Sequence, residues 1–176
     1  FNINWSTIGY YTKNYEDIIF VSSGTGLTSG FIKNFGETKR FGFDLSLNAY
    51  NNKEVSNIKS FSLNYSFMEA SFQSSHTLPA ANHPNSSNDV EAGDIIPGMP
   101  KHKINANITY SFLNDLNITA GFVGATGVFL RGDESNQLKK TSSYAVFNIQ
   151  SDYSPKKNIN FFGRIENILN SDYVTM

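Results

Sequence analysis

The sequence predicts an all-β fold, an antiparallel meander of about eight long strands of the kind that crosses a bacterial outer membrane. Three observations lead to this class. Apolar and polar residues alternate over long stretches, short and long gaps alternate between those stretches, and helical spacing is nowhere sustained. A period of two places successive side chains on opposite faces of a strand.

Four segments carry the clearest alternation. Phe61–Phe67 sets Phe, Leu and Tyr against Ser and Asn; Phe41–Ala49 and Ile104–Phe112 repeat the pattern, and Leu116–Phe122 follows it less strictly because it contains glycine. Across the whole chain we expect strands at 1–12, 17–23, 30–50, 57–74, 101–113, 116–130, 142–154 and 158–171. Several of these exceed the roughly 5–6 residues of a globular strand, and a tilted membrane strand needs about 9–11.

The gaps between these strands predict how they connect. They are short near 13–16, 51–56, 114–115 and 155–158, and long near 23–30, 74–100 and 131–142. The short gaps are rich in Asn, Asp, Pro and Lys, which suit tight turns. Tight turns at one end and long loops at the other are typical of an outer-membrane barrel.

Aromatic residues lie beside the short gaps. They are Tyr11, Tyr15, Tyr50, Tyr110, Phe112, Tyr153 and Phe161. Aromatic girdles mark the levels at which a barrel leaves the bilayer. Cross-strand packing in a soluble sandwich is the alternative explanation.

Composition excludes several other classes of protein. The net charge is −1 over 176 residues, which gives no basic excess for nucleic acid. The chain has no cysteine, so it has neither disulfides nor thiolate metal sites. No stretch approaches the about 18 apolar residues of a membrane helix. No catalytic constellation and no metal motif stands out, so we expect neither an enzyme nor a bound cofactor.

The long gaps hold the candidate ligand-binding residues. One set lies in the loop at 75–100 and the other in the loop at 131–141; together they are His76, His83, Asp89, Glu91, Asp94, Arg131, Asp133 and Glu134. The histidines and carboxylates could contact a metal or haem iron, although their spacing does not match a metal motif. A solvated loop is the simpler interpretation.

A second set of polar residues interrupts the strands themselves. An arginine on the lipid face costs about 2–4 kcal/mol at the bilayer midplane. We therefore expect Asp44, Asn48, Arg164 and Glu166 to face the interior of a barrel.

Five segments of the chain match motifs that recur together in one protein family. Ile96–Ala106 resembles the "P-x-x-P-x-H-x-x-N" start of a late barrel strand, and Phe129–Asn136 is similar to "Y-L-R-G-D-E-A-N". Tyr144–Ile149 is similar to "Y-x-V-x-N-L", Arg164–Tyr173 to the region of "N-L-x-D-x-x-Y", and Asn34–Leu47 to "N-x-G-x-x-x-R-x-G-x-E-L". Through these segments, which occur in the family's order with mild departures at Asp44, Phe129 and Ser135, the chain resembles the TonB-dependent outer-membrane receptors.

The resemblance implies a transmembrane barrel of about 22 strands closed around an N-terminal plug. It implies active uptake of a bulky, scarce ligand across the outer membrane of a Gram-negative bacterium, energised by the TonB complex acting through the plug. An iron–siderophore complex is the most frequent ligand of the family, and haem, cobalamin and glycans remain open. We expect residues 1–176 to be the late part of the barrel domain, without the plug, the early strands and the last strand.

Two other architectures are open to the same pattern. The first is a small self-closed barrel of about eight strands that acts as an anchor or adhesin in the outer-membrane lipid. The second is a soluble ligand-binding barrel or sandwich. A soluble barrel should have a polar outer face, whereas each clear strand here has one apolar face. Its narrow interior could not enclose so many Phe and Tyr side chains.

Overall fold

The computed structural model describes residues 2–22, 30–51, 56–78 and 88–173. Seven strands form one antiparallel sheet in the order β1-β4-β5-β8-β9-β10-β11. Their bounds are Asn2–Asn14 (β1), Thr38–Tyr50 (β4), Ile58–Phe72 (β5), His102–Leu113 (β8), Leu116–Ala125 (β9), Tyr144–Lys156 (β10) and Ile159–Ile165 (β11). Two small hairpins stand apart from the sheet, β2–β3 (Ile18–Ser22 and Gly30–Asn34) and β6–β7 (His76–Leu78 and Asn88–Val90). No helix in the described part of the chain is long and apolar enough to cross a membrane.

The all-β antiparallel meander is therefore confirmed, but one predicted strand does not belong to the sheet. Ile18–Ser22 of the predicted strand 17–23 pairs with Gly30–Asn34 of the predicted strand 30–50 as the β2–β3 hairpin. The expected strand 30–50 is interrupted at Gly36, which has a φ of 64° and donates its N–H to the Asn34 side chain. β2 and β3 have 5 residues each, which is too short to cross a bilayer.

This correction changes the first connection. The gap near 13–16 is the beginning of a long loop and not a tight turn. Long connections then follow β1, β5 and β9, and short ones follow β4, β8 and β10. We call the side of the sheet where the strands meet the long connections the long-loop end, and the opposite side, where the short connections lie, the short-turn end. Tyr11 and Tyr15 lie at the long-loop end, whereas the other five predicted girdle residues lie at the short-turn end as expected.

The register gives the sheet one apolar and one polar face. Phe43 lies opposite Phe67 and Leu47 opposite Leu63, and the same face continues across β8 and β9. The other face carries amides and hydroxyls, such as Asn107 in contact with Ser62 and Thr109 in contact with Thr119. A shift of one residue in the pairing would move the apolar side chains of a strand to the polar face. The observed register avoids this, so the apolar side chains of neighbouring strands lie on the same face.

The main buried core lies at the long-loop end, between the two small hairpins, the loops and the end of β5, and not against the apolar face of the sheet. It comprises Val21, Phe35, Ala70, Phe72, Leu78, Val90 and Ile96, and the rings of Phe35 and Phe72 are 4.8 Å apart. No second layer covers the apolar face within the described residues, and Trp5 remains 69% exposed. A single-layer sheet with an exposed apolar face is the form expected of a barrel wall.

Candidate functional site: the loop cluster at the long-loop end

The first long loop, which joins β1 to β4, is fastened to the sheet by a half-buried carboxylate. Asp17 Oδ2 accepts hydrogen bonds from the hydroxyl of Thr38 (2.6 Å) and from Nη2 of Arg40 (2.7 Å). Burial alone would raise the pKa of Asp17, but these two donors and the charge of Arg40 hold it below its ordinary value. The backbone of Asp17 also pairs with Phe35 and Gly36. The β2–β3 hairpin is thus held in a defined position above the sheet.

His76 joins the first loop to the second. Its Nε2 lies 2.6 Å from the carbonyl oxygen of Phe35 and must donate, since a carbonyl oxygen only accepts. The hydroxyl of Ser74 donates to the same oxygen (2.9 Å) and accepts from the N–H of Glu37. His76, predicted as a ligand-binding candidate, therefore braces the two loops through this nitrogen.

The second long loop, between β5 and β8, is joined to the third, between β9 and β10, by the side-chain amide of Asn136. This amide pairs with a backbone N–H and carbonyl as a neighbouring strand would. Asn136 Oδ1 accepts from the N–H of Ile95 (2.6 Å), and its Nδ2 donates to the carbonyl of Ile95 (2.9 Å). Ile95 in turn forms an isolated bridge with Ser71 of β5. Asn136 adopts a φ of 55°, a left-handed conformation that asparagine tolerates better than most residues.

Two carboxylates that the sequence predicts as ligand-binding candidates, Asp133 and Glu134, are buried where the second and third loops meet. Glu134 is 1% exposed, and its oxygens accept from the N–H of Gly132 (2.9 Å) and from Nδ2 of Asn88 (2.9 Å). Asn88 Oδ1 accepts from the N–H of Ser135. Burial raises the pKa of Glu134, and the donors only partly offset it.

Asp133 is equally enclosed, at 2% exposed. Its carboxylate accepts from the backbone N–H groups of Gln137 (2.9 Å) and Leu138 (3.1 Å), which shapes the turn that follows. The sequence predicts Asp133 and Glu134 as ligand-binding candidates of the third loop, whereas the structure places both in the interior of the loop cluster. Sequence reasoning could not find the partner of Glu134 in the second loop, because Asn88 lies 46 residues away in the chain.

The remaining candidates of the second loop lie on its surface. A shallow groove of about 510 Å³ along β6–β7 brings His76 together with Asp89 and Glu91. Asp94 is half-buried and accepts from the N–H of Glu91; burial raises its pKa, with the charges of Glu91 and Asp133 adding to the effect. No group of three metal-ligating side chains occurs within the described ranges, and His83 lies outside them.

A cleft of about 300 Å³ opens where the three loops meet. Six of its nine lining residues are apolar, and Arg40, Arg131 and Glu134 supply its charged groups. The other lining residues are Ile18, Ile19, Phe20, Ile96, Pro97 and Met99. Of these residues, sequence reasoning had selected only Arg131 and Glu134 as site candidates. The others come from separate loops, and no local pattern indicates that they converge.

The four polar strand residues lie as follows. Asp44 and Asn48 are on the polar face of β4, and Asn48 donates to Ser46. Arg164 lies opposite Gln150 on the polar face and forms an exposed ion pair with Glu166 (2.8 Å), which follows β11. The polar face is the one that a barrel turns toward its lumen.

Three solved structures share the fold. The siderophore receptor PiuA from Acinetobacter baumannii matches with a TM-score of 0.71 and 22% identity over 96% of this chain. The ferric-catecholate import receptor Fiu from E. coli K12 matches with a TM-score of 0.66 and 17% identity over 98%. The copper transporter OprC matches with a TM-score of 0.67 and 14% identity, also over 98%. The chain spans 22%, 22% and 24% of those three chains, respectively.

The antiparallel sheet with one apolar face and alternating long and short connections is the structure that the matching family model describes, a β-barrel domain. A search of curated protein sequences gave no match. The family model described as "TonB dependent receptor-like, beta-barrel" matches residues 1–168, nearly the whole chain. Its members are transport receptors of the Gram-negative outer membrane. The chain therefore belongs to the TonB-dependent receptor β-barrel family.

Proposed function

We propose that the chain is the late barrel part of an outer-membrane receptor that actively imports an iron–siderophore complex, energised by the TonB complex through a plug domain. Family membership and the fold shared with two siderophore receptors support this proposal. The observation that carries it furthest is the cleft between the three long loops, with an apolar wall and an available arginine.

The chemistry of the cleft suits a bulky anionic complex. Within the described residues Arg131 has no hydrogen bond or ion pair, whereas Arg40 is engaged by Asp17. A guanidinium can donate two parallel hydrogen bonds to oxygen ligands arranged around a metal. The apolar wall, including Phe20 and Met99, would cover the organic periphery of the same ligand.

The loop contacts would keep this cleft preorganised. Asp17 and His76 fix the first loop, and Asn136 and Glu134 join the second loop to the third. A loop that is ordered before binding loses less conformational entropy when the ligand arrives. In this proposal Asp133 and Glu134 contribute to capture by shaping the loop that presents Arg131.

The other predicted residues take secondary places in the proposal. The groove with His76, Asp89 and Glu91 would meet the ligand before the cleft does. The polar strand residues Asp44, Asn48, Arg164 and Glu166 would face the plug.

The small self-closed barrel has less support. It would require β1 and β11 to pair, and these two strands are the edges of the sheet in the described part of the chain. Haem, cobalamin and glycan receptors share the family fold, and the loop geometry gives no specific reason to prefer one of them.

The test is growth of a strain that lacks the full-length gene on single iron sources, with a siderophore, haem or a ferric salt supplied separately. Growth on one siderophore should fail and return with the gene. Arg131→Gln should weaken binding of that labelled ferric siderophore by about tenfold or more, the value of a charge-assisted hydrogen bond. Lys139→Gln, an exposed lysine of the same loop outside the cleft, is the matched control.

Two results would contradict the proposal. Unchanged growth on every iron source, with unchanged uptake of labelled complexes, would show that the receptor does not import iron. Equal affinity of the Arg131→Gln and Lys139→Gln receptors would leave the import of iron possible but exclude the cleft as the binding site.

A further inference from the structure

Four lysines of the described residues hold their ammonium groups over aromatic rings; one is Lys140 over Phe129 in the third long loop, and the other three lie where the strands meet the long loops. The distances from Nζ to the ring centroid are 4.9 Å for Lys13 over Tyr15, 5.5 Å for Lys39 over Phe41 and 5.6 Å for Lys101 over Phe67. A cation over a ring face is attracted by the ring quadrupole. These contacts restrict where the ammonium groups can lie, and we call the three residues the lysine row.

The lysine row borders the apolar face. Lys13 and Lys39 lie directly opposite each other, on the face that carries Phe41 and Phe43. Lys101 precedes β8, and its side chain reaches the same face, where it contacts Glu69 and Phe67. The row thus crosses β1, β4 and β5 at the long-loop margin of the apolar face that would contact lipid.

The height of the row matches the edge of a bilayer. β4 has 13 residues. At about 3.3 Å per residue and a tilt near 45°, a strand of this length covers about 30 Å of height, slightly more than the apolar band of about 25 Å. Tyr50 at one end of β4 would then lie at one interface and Lys39 at the other.

The charges of the row are only partly balanced by the protein. Lys13 pairs with Glu37 (3.0 Å) and Lys101 with Glu69 (2.5 Å). Within the described residues Lys39, in the middle, has no carboxylate partner. Like charges directly opposite each other in a sheet are unfavourable, so the pair of Lys13 and Lys39 is suited to an additional anion.

We propose that the lysine row, centred on Lys39, binds phosphate groups of lipid headgroups in the leaflet that surrounds the long-loop end. The proposal rests on the barrel's lying in the outer membrane, with its long loops outside. Phosphate is the anion that a bilayer presents at this height, and a lysine near an anionic surface contributes about a fivefold gain in affinity. Extension of the lysine side chains toward water (snorkelling) would also place the ammonium groups at this height. It would not make them bind a phosphorylated headgroup in preference to one without phosphate.

The test uses the full-length receptor in phosphatidylcholine nanodiscs that contain either bis-phosphorylated lipid A or the same lipid A without its phosphates. Native mass spectrometry measures the lipid A that remains bound. Lys39→Gln breaks no ion pair of the described structure and should lower the preference for the phosphorylated lipid about fivefold. Lys103→Gln is the matched control, because Lys103 lies at nearby height on the polar face opposite Ser66.

The outcomes separate this proposal from the transport function, since no ligand is added. Lys39→Arg should keep the preference for the phosphorylated lipid, and replacement of all three lysines by Gln should remove most of it. The proposal is overturned if the unaltered receptor binds both forms of lipid A equally. It is also overturned if Lys39→Gln and Lys103→Gln reduce the preference by the same factor.

Discussion

The amide of Asn136 is expected to hold the second and third loops together. It forms a reciprocal pair with the backbone of Ile95, with N···O distances of 2.6 and 2.9 Å. Asn136→Ala removes both partners and leaves the N–H and the carbonyl of Ile95 unpaired. The perturbation is local, because Ile95 is bridged on its other side by Ser71 of the sheet.

The magnitude follows from these contacts. Asn136→Ala leaves two backbone groups of Ile95 unsatisfied, and because Ile95 is only partly buried each costs about 1 kcal/mol, the lower end of the range for buried groups. Alanine at the φ of 55° adopted by Asn136 adds up to about 2 kcal/mol. The free energy of opening this junction should therefore fall by about 2–4 kcal/mol, which is a roughly 30- to 1000-fold increase in the opening constant.

Hydrogen exchange of the full-length receptor in nanodiscs measures this opening directly. Peptides that contain Ile95 should lose protection by the same factor in the Ala variant. Asn136→Gly separates the two causes, because glycine removes the hydrogen bonds without the strain of a positive φ. Asn136→Asp keeps the acceptor for the N–H of Ile95 but places a carboxylate oxygen against the carbonyl of Ile95, so it should not restore protection.

The reasoning would be refuted by unchanged protection at Ile95 in the Ala variant. It would also be refuted if Asn136→Gly kept the protection of the unaltered receptor, because the loss in the Ala variant would then come from backbone strain and not from the paired amide. Peptides from the short-turn end serve as the internal reference and should not change.

Three further results are expected. Asp17 has a folded pKa below its ordinary value, so the stability that it contributes is present above pH 3.8 and is lost as the pH falls through the folded pKa; hydrogen exchange of the first loop should show this, and Asp17→Asn should abolish the dependence. Glu134 has a raised pKa, so protection of the third loop should instead increase as the pH is lowered from 7 toward 4.5, and the opposite trend would contradict its burial as the cause. Gly42→Ala would place a Cβ 2.1 Å from a backbone oxygen, whereas one at Gly9 meets nothing within 4 Å; the folded fraction of receptor should fall sharply for Gly42→Ala only, and equal fractions would refute the packing argument.

The fold class could be predicted because its main signal is local. Alternation over Phe61–Phe67 depends only on neighbouring residues, and it recurs in the strands that pair in the observed register. The bounds of β5 and the order of the late strands followed from the same signal, whereas β4 begins at Thr38 and not at residue 30. The prediction of 17–23 as a strand of the sheet was wrong, because a short apolar run such as β2 does not show whether it pairs within the sheet or in a separate hairpin.

The candidate site was predictable only as a region. Arg131, Asp133 and Glu134 lie within four residues of sequence, yet Arg131 is exposed beside the cleft and the other two are buried. Burial of Glu134 depends on Asn88, which is 46 residues away in the chain. Local patterns specify which face of a strand is apolar, because side-chain direction follows from backbone geometry. Contacts between loops are long-range, so the tertiary structure alone decides which carboxylate binds the chain itself and which side chain remains available to a ligand.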